Sequence, residues 1–258
     1  MNKFSPLEVL LSPRELDRLG TADLSQTVCV VFDILRATTT ITTALHHGAA
    51  AMIPVAEIHE AVALRHADPE ILLAGERHGF RIGKDLTGGI EFDLGNSPRE
   101  FTRERVKGRT IGITTTNGTR ALRACAGAQK VLIASFPNLG AVVTWLRKNK
   151  PTHLLLVCSG TGEEAAAEDA LAAGAVADAV WDLYGIDQIS DSAEIARQFY
   201  TSHADNLLEA LGQCRNGRRL LRITELKEDV EICLARNTIP LVPELSDGTI
   251  KPMPIPED

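Results

Sequence analysis

Apolar and polar positions along the first 160 residues form blocks that predict strands followed by helices. Six short segments predict strands at 28–34, 51–56, 71–74, 110–115, 131–134 and 154–158, and the continuous apolar runs at 28–34 and 154–158 predict buried strands. Between them, helices are predicted at 41–47, 58–67, 118–126 and 139–148, where Gly or Pro follows within a few residues. An alanine-rich helix is predicted after Gly162. The pattern therefore predicts repeated strand–helix units.

Strands that alternate with helices are typical of an α/β fold. We predict three layers, with a largely parallel or mixed β-sheet covered by helices on both faces and a helical C-terminal part. After about Gly185 the strand signals fade, and helices are predicted at 193–203, 206–213 and 225–236. The chain is predicted to be a single domain, 1–258. Its subdivisions would be an α/β core (about 1–184), a mainly helical part (185–240) and an extended, proline-rich tail (241–258).

Composition argues against three classes of protein: nucleic-acid binders, membrane proteins and disulfide-bonded proteins. The formal net charge of −7 argues against a nucleic-acid binder, which normally carries a basic surface. No apolar run reaches the ~18 residues of a membrane span, so no membrane contact is expected. The five cysteines are odd in number and widely spread, which argues against a disulfide framework. A reduced, cytoplasmic enzyme is the prediction, and a homodimer is left open.

Polar, chemically useful residues follow several predicted strands. Open α/β sheets bind ligands outside the carboxyl ends of their strands. Hydroxyls, glycine turns, arginines or carboxylates stand there in segments 33–40, 75–77, 114–119 and 158–162. Glycine turns at helix starts expose N–H groups to phosphate oxygens, and arginines bind such oxygens bidentately. The sequence therefore indicates an anion site.

Each segment also has a plain structural interpretation. Asp33 and the 115–119 turn can be helix caps, and acids at a helix start can face solvent. Ser97, followed by Pro98 and by Glu100, fits a capping box. Cys158 can be a buried thiol or a nucleophile. The residues by themselves leave these alternatives open.

The sequence contains none of the phosphate-binding motifs considered below, so a bound metal ion is the remaining explanation for an anion site beside carboxylates. No lysine follows the Gly160 turn, as a P-loop requires, and GxGxxG does not occur. The sixth residue after Cys158 is Glu164 and not the arginine of a cysteine phosphatase. Phosphate and a carboxylate cluster repel each other unless a divalent cation lies between them, and Mg²⁺ binds carboxylates together with phosphate oxygens. Metal-assisted phosphoryl chemistry is the resulting hypothesis.

Four segments together resemble one family. They are FDILRATTTITTAL (32–45), GERHG followed by FDLGNSPRE (75–100), TTNGTRAL (115–122) and CSGTGEEAAAEDALAAG (158–174). In this order they resemble the magnesium-dependent 2-phosphosulfolactate phosphatases, the ComB family. The segment between Gly79 and Phe92 is longer than the family pattern, with 84–89 as the extra stretch.

The resemblance implies a mixed α/β fold, Mg²⁺ as cofactor, and hydrolysis of (R)-2-phospho-3-sulfolactate to sulfolactate and phosphate. The product could feed coenzyme M synthesis or another sulfonate route. The catalytic residues are then predicted to be Asp33, Arg36, Glu168 and Asp169. The metal ligands are predicted to be Asp33, Glu76, Glu168 and Asp169. The substrate-binding residues are predicted to be Arg77, Asn96, Ser97, Thr116, Asn117, Gly118, Thr119, Ser159, Gly160 and Thr161.

Two other functions remain open at this point. The same N–H turns would serve a non-catalytic binding module for a phosphorylated metabolite, which would not need the carboxylates. A metal-dependent enzyme acting on sugar phosphates is the second. In all three cases the partner is a small, anionic, phosphorylated molecule.

Overall fold

The computed structural model describes residues 4–253, in which ten strands form one mixed sheet. The strands are β1 (Leu7–Leu10), β2 (Thr27–Phe32), β3 (Ala51–Pro54), β4 (Leu72–Arg77), β5 (Phe80–Arg81), β6 (Thr110–Thr114), β7 (Lys130–Ala134), β8 (His153–Cys158), β9 (Pro243–Ser246) and β10 (Thr249–Pro252). All six predicted strands are present, within a few residues of their predicted ends. The short strands β1, β5, β9 and β10 were not predicted.

Eleven α-helices lie in the described part of the chain. They are α1 (Ala37–His46), α2 (Ile58–Ala67), α3 (Lys84–Thr87), α4 (Arg103–Val106), α5 (Gly118–Ala124), α6 (Leu139–Asn149), α7 (Ala167–Val180), α8 (Asp191–His203), α9 (Leu207–Gln213), α10 (Arg215–Leu221) and α11 (Thr224–Leu234). Short 3-10 helices span Pro13–Thr21, Pro98–Glu100, Phe136–Asn138, Trp181–Leu183 and Ile186–Gln188. The mainly helical character predicted after residue 185 is confirmed for α8 to α11. The short helix α3 lies in the extra stretch 84–89.

The strand order is β1-β8-β2-β7-β9-β10-β3-β6-β4-β5. The C-terminal hairpin, β9 and β10, lies in the middle of this sheet and joins its two halves through antiparallel pairing to β7 and β3. The predicted extended tail therefore contains two strands that the fading strand signals after Gly185 do not indicate. The prolines at 243 and 252 weaken the strand signal in the sequence, because proline is depleted from strands. The strands that pair with β9 and β10 from outside the hairpin are also distant in sequence. The end of the predicted tail, 254–258, lies outside the described residues.

The inserted hairpin also reverses direction across the sheet. β1, β8, β2 and β7 run parallel to one another, and β3, β6 and β4 run parallel to one another in the opposite sense. In a flat sheet their carboxyl ends would lie at opposite edges. Five strand steps separate β2 from β6, over which the usual twist of 20–25° a step accumulates to roughly 100–125°. The rule for a flat sheet therefore does not apply, and both sets of strand ends contribute to one cavity.

Two core clusters cover opposite faces of the sheet, which confirms the predicted three-layer α/β fold. On β2, Val30 faces a cluster that includes Val176 of α7, and the next residue, Val31, faces a cluster with Ile41 of α1 and Leu122 of α5. All of these side chains are fully buried. Both faces of β2 are therefore apolar, as its continuous apolar run predicts. The proposed subdivision into subdomains stays a prediction.

All five cysteines are free and buried. In residues 4–253, no helix combines the length and the apolar character that a membrane crossing needs.

Candidate active site

A cavity of ≈290 Å³ opens where loops after β2 and β6, the β4–β5 turn and helix α10 meet. The predicted site residues in its wall are Asp33, Arg36, Glu76, Asn96, Thr116, Asn117 and Thr161. Segments that are far apart in sequence therefore meet at one place. The other predicted residues lie behind this wall or beside it.

Asp33 follows β2 directly and is fixed by the start of α1. Its N–H donates to Thr38 Oγ1 at 3.1 Å, and its Oδ1 accepts the N–H of Ala37 at 3.3 Å. The other oxygen, Oδ2, faces Gly118 at the start of α5. A Cβ at position 118 would lie 2.7 Å from Oδ2, so only glycine allows this close approach. Gly118 serves the site through the space it leaves.

Four carboxylates are buried together around this point, and they are the four that the sequence analysis selects: Asp33, Glu76, Glu168 and Asp169. Burial, followed by repulsion from Glu76 and Glu168, raises the pKa of Asp33 to about 7. Burial also raises the pKa of Glu168, and burial with repulsion from Asp33 and Glu168 raises that of Asp169. Buried like charges with shifted pKa values are typical of functional sites.

Asp169 binds the N–H of Gly160, one of the groups that the sequence analysis assigned to a phosphate. Its Oδ1 accepts the N–H of Ile34 at 2.9 Å, and its Oδ2 accepts the N–H of Gly160 at 3.0 Å. The N–H of Ser159 donates to Phe32 O at 2.8 Å. Gly160 has a φ of +66°, and a Cβ there would lie 2.4 Å from Pro13 Cδ. Asp169 thus joins the ends of β2 and β8, and the N–H groups of Ser159 and Gly160 are satisfied from within the protein. The buried hydroxyl of Ser159 has no hydrogen-bond partner among the described residues.

Glu76 likewise accepts backbone N–H groups with its carboxylate, and it connects the loop after β6 to the β4–β5 turn. Its Oε1 accepts both the N–H and the hydroxyl of Thr116 at 2.9 Å, and its Oε2 accepts the N–H of Gly79 at 2.7 Å. Thr119 is turned inward, where its hydroxyl donates to Thr115 O at 2.9 Å. The polar groups that remain toward the cavity are therefore fewer than the sequence analysis suggests.

Arg36 is buried and is held by Asp229, a residue of α11. Its Nη1 donates to Asp229 Oδ2 at 2.6 Å, and its Nη2 donates to Gly79 O at 2.9 Å. Asp229 is fully buried, and its Oδ1 also accepts the Ser97 hydroxyl at 2.7 Å and Arg99 Nε at 2.8 Å. The C-terminal helical part thus supports a predicted catalytic residue.

The capping box predicted at Ser97 is wrong. The Ser97 side chain makes no cap hydrogen bond, because its hydroxyl donates to Asp229 instead. Glu100 accepts the N–H of Gly95 at 3.0 Å. A strongly charged acceptor from another helix therefore outcompetes the local motif.

Arg77 points away from the cavity. Its guanidinium donates to Thr114 Oγ1 at 3.0 Å, to Ala56 O at 3.3 Å and to Glu76 O at 2.8 Å. These bonds hold the end of β4 against β6, and the predicted contact of Arg77 with substrate stays a prediction.

Helix α10 closes the cavity with residues that the sequence analysis missed. Arg215, Asn216 and Arg219 lie in its wall. Asn216 Nδ2 donates to Glu168 Oε1 at 3.0 Å and to Leu35 O at 3.3 Å, so Glu168 lies behind this helix. The signal that could have found the helix is its basic run, RNGRRLLR at 215–222, in a chain of net negative charge.

Cys158 is fully buried, and burial with repulsion from Asp169 raises the pKa of its thiol well above the ordinary value. A nucleophilic cysteine needs a lowered pKa. The structure therefore favours the interpretation of Cys158 as a buried thiol.

Comparison with known proteins assigns this chain to a family. The model for the family described as 2-phosphosulpholactate phosphatase matches residues 14–248. The chain belongs to the 2-phosphosulpholactate phosphatase family. The resemblance stated from the sequence is confirmed, and so is the predicted enzyme class, since such a phosphatase is a phosphoric monoester hydrolase.

Three relatives share the name probable 2-phosphosulfolactate phosphatase. The one from Caldanaerobacter subterraneus subsp. tengcongensis is 40% identical over 239 residues, which cover 90% of this chain and 93% of the relative. The one from Synechococcus sp. (strain JA-3-3Ab) is 41% identical over 221 residues, 83% of this chain and 87% of the relative. The one from Clostridium perfringens (strain SM101) is 35% identical over 249 residues, 95% of each chain. The similarity therefore includes the C-terminal helices α8 to α11.

In this member of the 2-phosphosulpholactate phosphatase family, two carboxylates keep an oxygen free for a ligand. Among the described residues, no hydrogen bond from another residue is found to Asp33 Oδ2 or to Glu168 Oε2. Glu76 and Asp169 use both of their oxygens on hydrogen bonds. Within residues 4–253, no group of three or more His, Cys, Asp or Glu side chains could hold a metal ion by itself. A cation here would need oxygens from substrate or water.

Asn96 has a buried amide oxygen without a partner. The residue is 5% exposed and lines the cavity, and its Oδ1 has no hydrogen-bond partner among the described residues. The two ends of an amide side chain are interchangeable by rotation, so Asn96 can donate or accept. An unsatisfied buried polar atom is costly, which favours a ligand that completes it. The geometry therefore supports the predicted contact of Asn96 with substrate.

Proposed function

We propose that this protein is a Mg²⁺-dependent 2-phosphosulfolactate phosphatase that releases sulfolactate and inorganic phosphate. The observation that carries the proposal is the family match over residues 14–248. The cavity is consistent with it, since a small phosphomonoester would meet Asp33, Arg36 and Asn96 together. The free, buried cysteines suit a reducing compartment, so we infer a cytoplasmic location.

We assign substrate binding to side chains whose N–H groups are not all used in hydrogen bonds within the protein. Arg36 has five N–H groups and spends one on Asp229 and one on Gly79 O, so three can bind phosphoryl oxygens. Asn117 Oδ1 accepts the N–H of Gly162 at 3.1 Å, which leaves its amide N–H groups for the ligand. Both side chains are held before substrate arrives, so little order is lost on binding.

Asp33 and Glu168 are the residues that would hold Mg²⁺. Mg²⁺ binds one or two carboxylates and completes its coordination with phosphate oxygens and waters, and these two carboxylates have oxygens free for that purpose. When bound, the metal neutralises phosphoryl charge and activates water. Glu76 and Asp169 position the surrounding loops, and their predicted role as ligands stays a prediction.

The proposal is tested by phosphate release from 2-phosphosulfolactate, with Mg²⁺ and with EDTA. We expect turnover that EDTA abolishes and that Mg²⁺ restores. Turnover that EDTA leaves unchanged would remove the metal from the proposal. Binding without turnover would favour the non-catalytic module, and turnover of glucose 6-phosphate alone would favour the sugar-phosphate enzyme.

Glu168→Gln is expected to lower kcat by ~100-fold or more, because a metal-held interaction in the transition state is worth several kcal/mol. Glutamine keeps the side-chain oxygen that accepts from Asn216, so the fold should persist. The measurement is phosphate release against Mg²⁺ concentration, with circular dichroism as the check on folding.

The matched control is Glu163→Gln. Glu163 is exposed and pairs with Arg120 at 2.6 Å at the surface, where an ion pair contributes little. Wild-type rates are expected for this variant. If Glu168→Gln also keeps the wild-type rate and Mg²⁺ dependence, Glu168 is removed from the active site.

A further inference from the structure

One arginine in the cavity wall forms no ion pair with an acidic side chain in the described part of the chain. Three arginines line the cavity, and two of them have acidic partners. Arg36 pairs with the buried Asp229, and Arg215 pairs with Glu164 at the surface. For the third, Arg219, residues 4–253 provide no ion pair. A cation beside a cavity without an acid partner is available to an anionic ligand.

Neutral groups fix the Arg219 guanidinium in place. Its Nε and Nη2 donate to Asn216 Oδ1 at 3.2 and 3.1 Å, and its Nη1 donates to His78 O at 3.4 Å. These acceptors orient the guanidinium. Its charge acts at longer range on the Glu168 carboxylate, but no acidic side chain of residues 4–253 forms an ion pair with it. Three of its five N–H groups are used, so two remain for a ligand.

Arg219 and Arg36 are held by consecutive carbonyl groups. Arg219 donates to His78 O, and Arg36 donates to Gly79 O. Both guanidinium groups are therefore held by the same turn, and both arginines line the cavity wall. Two neighbouring cations suit a ligand with anionic groups on adjacent carbon atoms, because each group can meet its own guanidinium.

We propose that Arg219 is a specificity-determining residue that binds a second anionic group of the substrate, a carboxylate or a sulfonate, while Arg36 binds the phosphoryl group. The inference rests on the proposed function, whose substrate carries both anions next to the phosphorylated carbon. Arg215 is a weaker choice, since Glu164 already neutralises it.

The test compares Arg219→Gln with the wild type on four substrates. These are 2-phosphosulfolactate, 2-phospholactate (without the sulfonate), 2-phosphoethanesulfonate (without the carboxylate) and ethyl phosphate (without both). Loss of a hydrogen-bonded charge contact should lower kcat/KM for 2-phosphosulfolactate by roughly 10- to 100-fold, mainly through KM. Ethyl phosphate should be unaffected. The analogue on which the variant matches the wild type lacks the group that Arg219 binds.

Two further variants separate recognition from structure. Arg219→Lys keeps the charge and should recover part of the loss. Arg218→Gln removes an equal charge from the same helix, outside this cavity, and should behave as wild type. An equal loss on all four substrates, or no loss at all, overturns the inference.

Calorimetric titration of sulfolactate, which needs no turnover, keeps the inference separate from the proposed function. If the wild type releases no phosphate but binds sulfolactate, and Arg219→Gln binds it at least 10-fold more weakly, the proposed function fails and the inference stands. If both proteins bind sulfolactate equally, or neither binds it, the inference fails whatever the result on phosphate release.

Discussion

Asp229→Ala is expected to destabilise the folded protein by about 3–5 kcal/mol, the usual cost of removing one partner from a buried ion pair. Arg36 is 4% exposed and Asp229 is fully buried, so the variant would leave an arginine inside the protein without its counter-charge. Ser97 and Arg99 would lose the same acceptor. Urea unfolding, followed by circular dichroism, measures the change. Activity should fall as well, since Arg36 is no longer held toward the cavity.

Glu228→Ala is the matched control for this prediction. Glu228 precedes Asp229 in α11 and also pairs with Arg99, but its side chain is 69% exposed. A solvated pair contributes little, so the unfolding midpoint should stay near that of the wild type. Equal midpoints for Asp229→Ala and Glu228→Ala would show that Asp229 does not hold this region together.

Asp33→Asn is expected to abolish turnover and, in EDTA, to make the protein more stable at pH 8. We expect kcat to fall by ~1,000-fold or more, which corresponds to about 4 kcal/mol of transition-state stabilisation. The gain in stability has a separate cause. Burial and the repulsion from Glu76 and Glu168 raise the pKa of Asp33 from 3.8 to about 7. Asparagine carries no charge, so the variant avoids both the cost of burying a charge and the repulsion from Glu76 and Glu168.

The pH dependence follows from that shift. Between about pH 4 and pH 7, the folded protein keeps a proton on Asp33 that the unfolded chain has released. Stability of the wild type therefore falls as the pH rises through this range, and the penalty is complete above pH 7. The Asp33→Asn variant has no carboxyl proton to lose at this position. Its Tm should therefore exceed that of the wild type at pH 8, and the difference in Tm should become smaller toward pH 4.

Asp187→Asn, at an exposed carboxylate far from the cavity, should leave both rate and Tm unchanged. If Asp33→Asn lowers the Tm at pH 8 in EDTA, the carboxylate contributes to the fold and is not a strained functional group.

Local signals in the sequence determined most elements of the fold. The strands β2, β7 and β8 are largely continuous apolar runs, because both faces of each are covered, and helix α2 has its predicted ends. Asp33, Glu76, Glu168 and Asp169 were selected because polar residues after buried strands point to a ligand site. Their burial around one point agrees with that argument, and the family resemblance rested on the same segments.

Contacts between distant segments decided the rest. β9 and β10 depend on pairing with strands more than 100 residues away and carry prolines that weaken their local signal. The N–H of Gly160 donates to Asp169, and the hydroxyl of Ser97 donates to Asp229, 132 residues further along the chain. No local pattern marks Asp229 as part of a site, and Arg219 is marked only by the basic run at 215–222 in a chain of net negative charge.

The sequence by itself thus determined the class of fold and the family, and it selected four carboxylates that prove to be buried, because each of these depends on residue type and short-range order. Only the tertiary structure decided which donors are free, which arginine faces the cavity without an acid partner, and where the C-terminal hairpin enters the sheet. Hydrogen bonds and ion pairs are formed by whichever groups the fold brings within about 3 Å, and that distance is independent of separation along the chain.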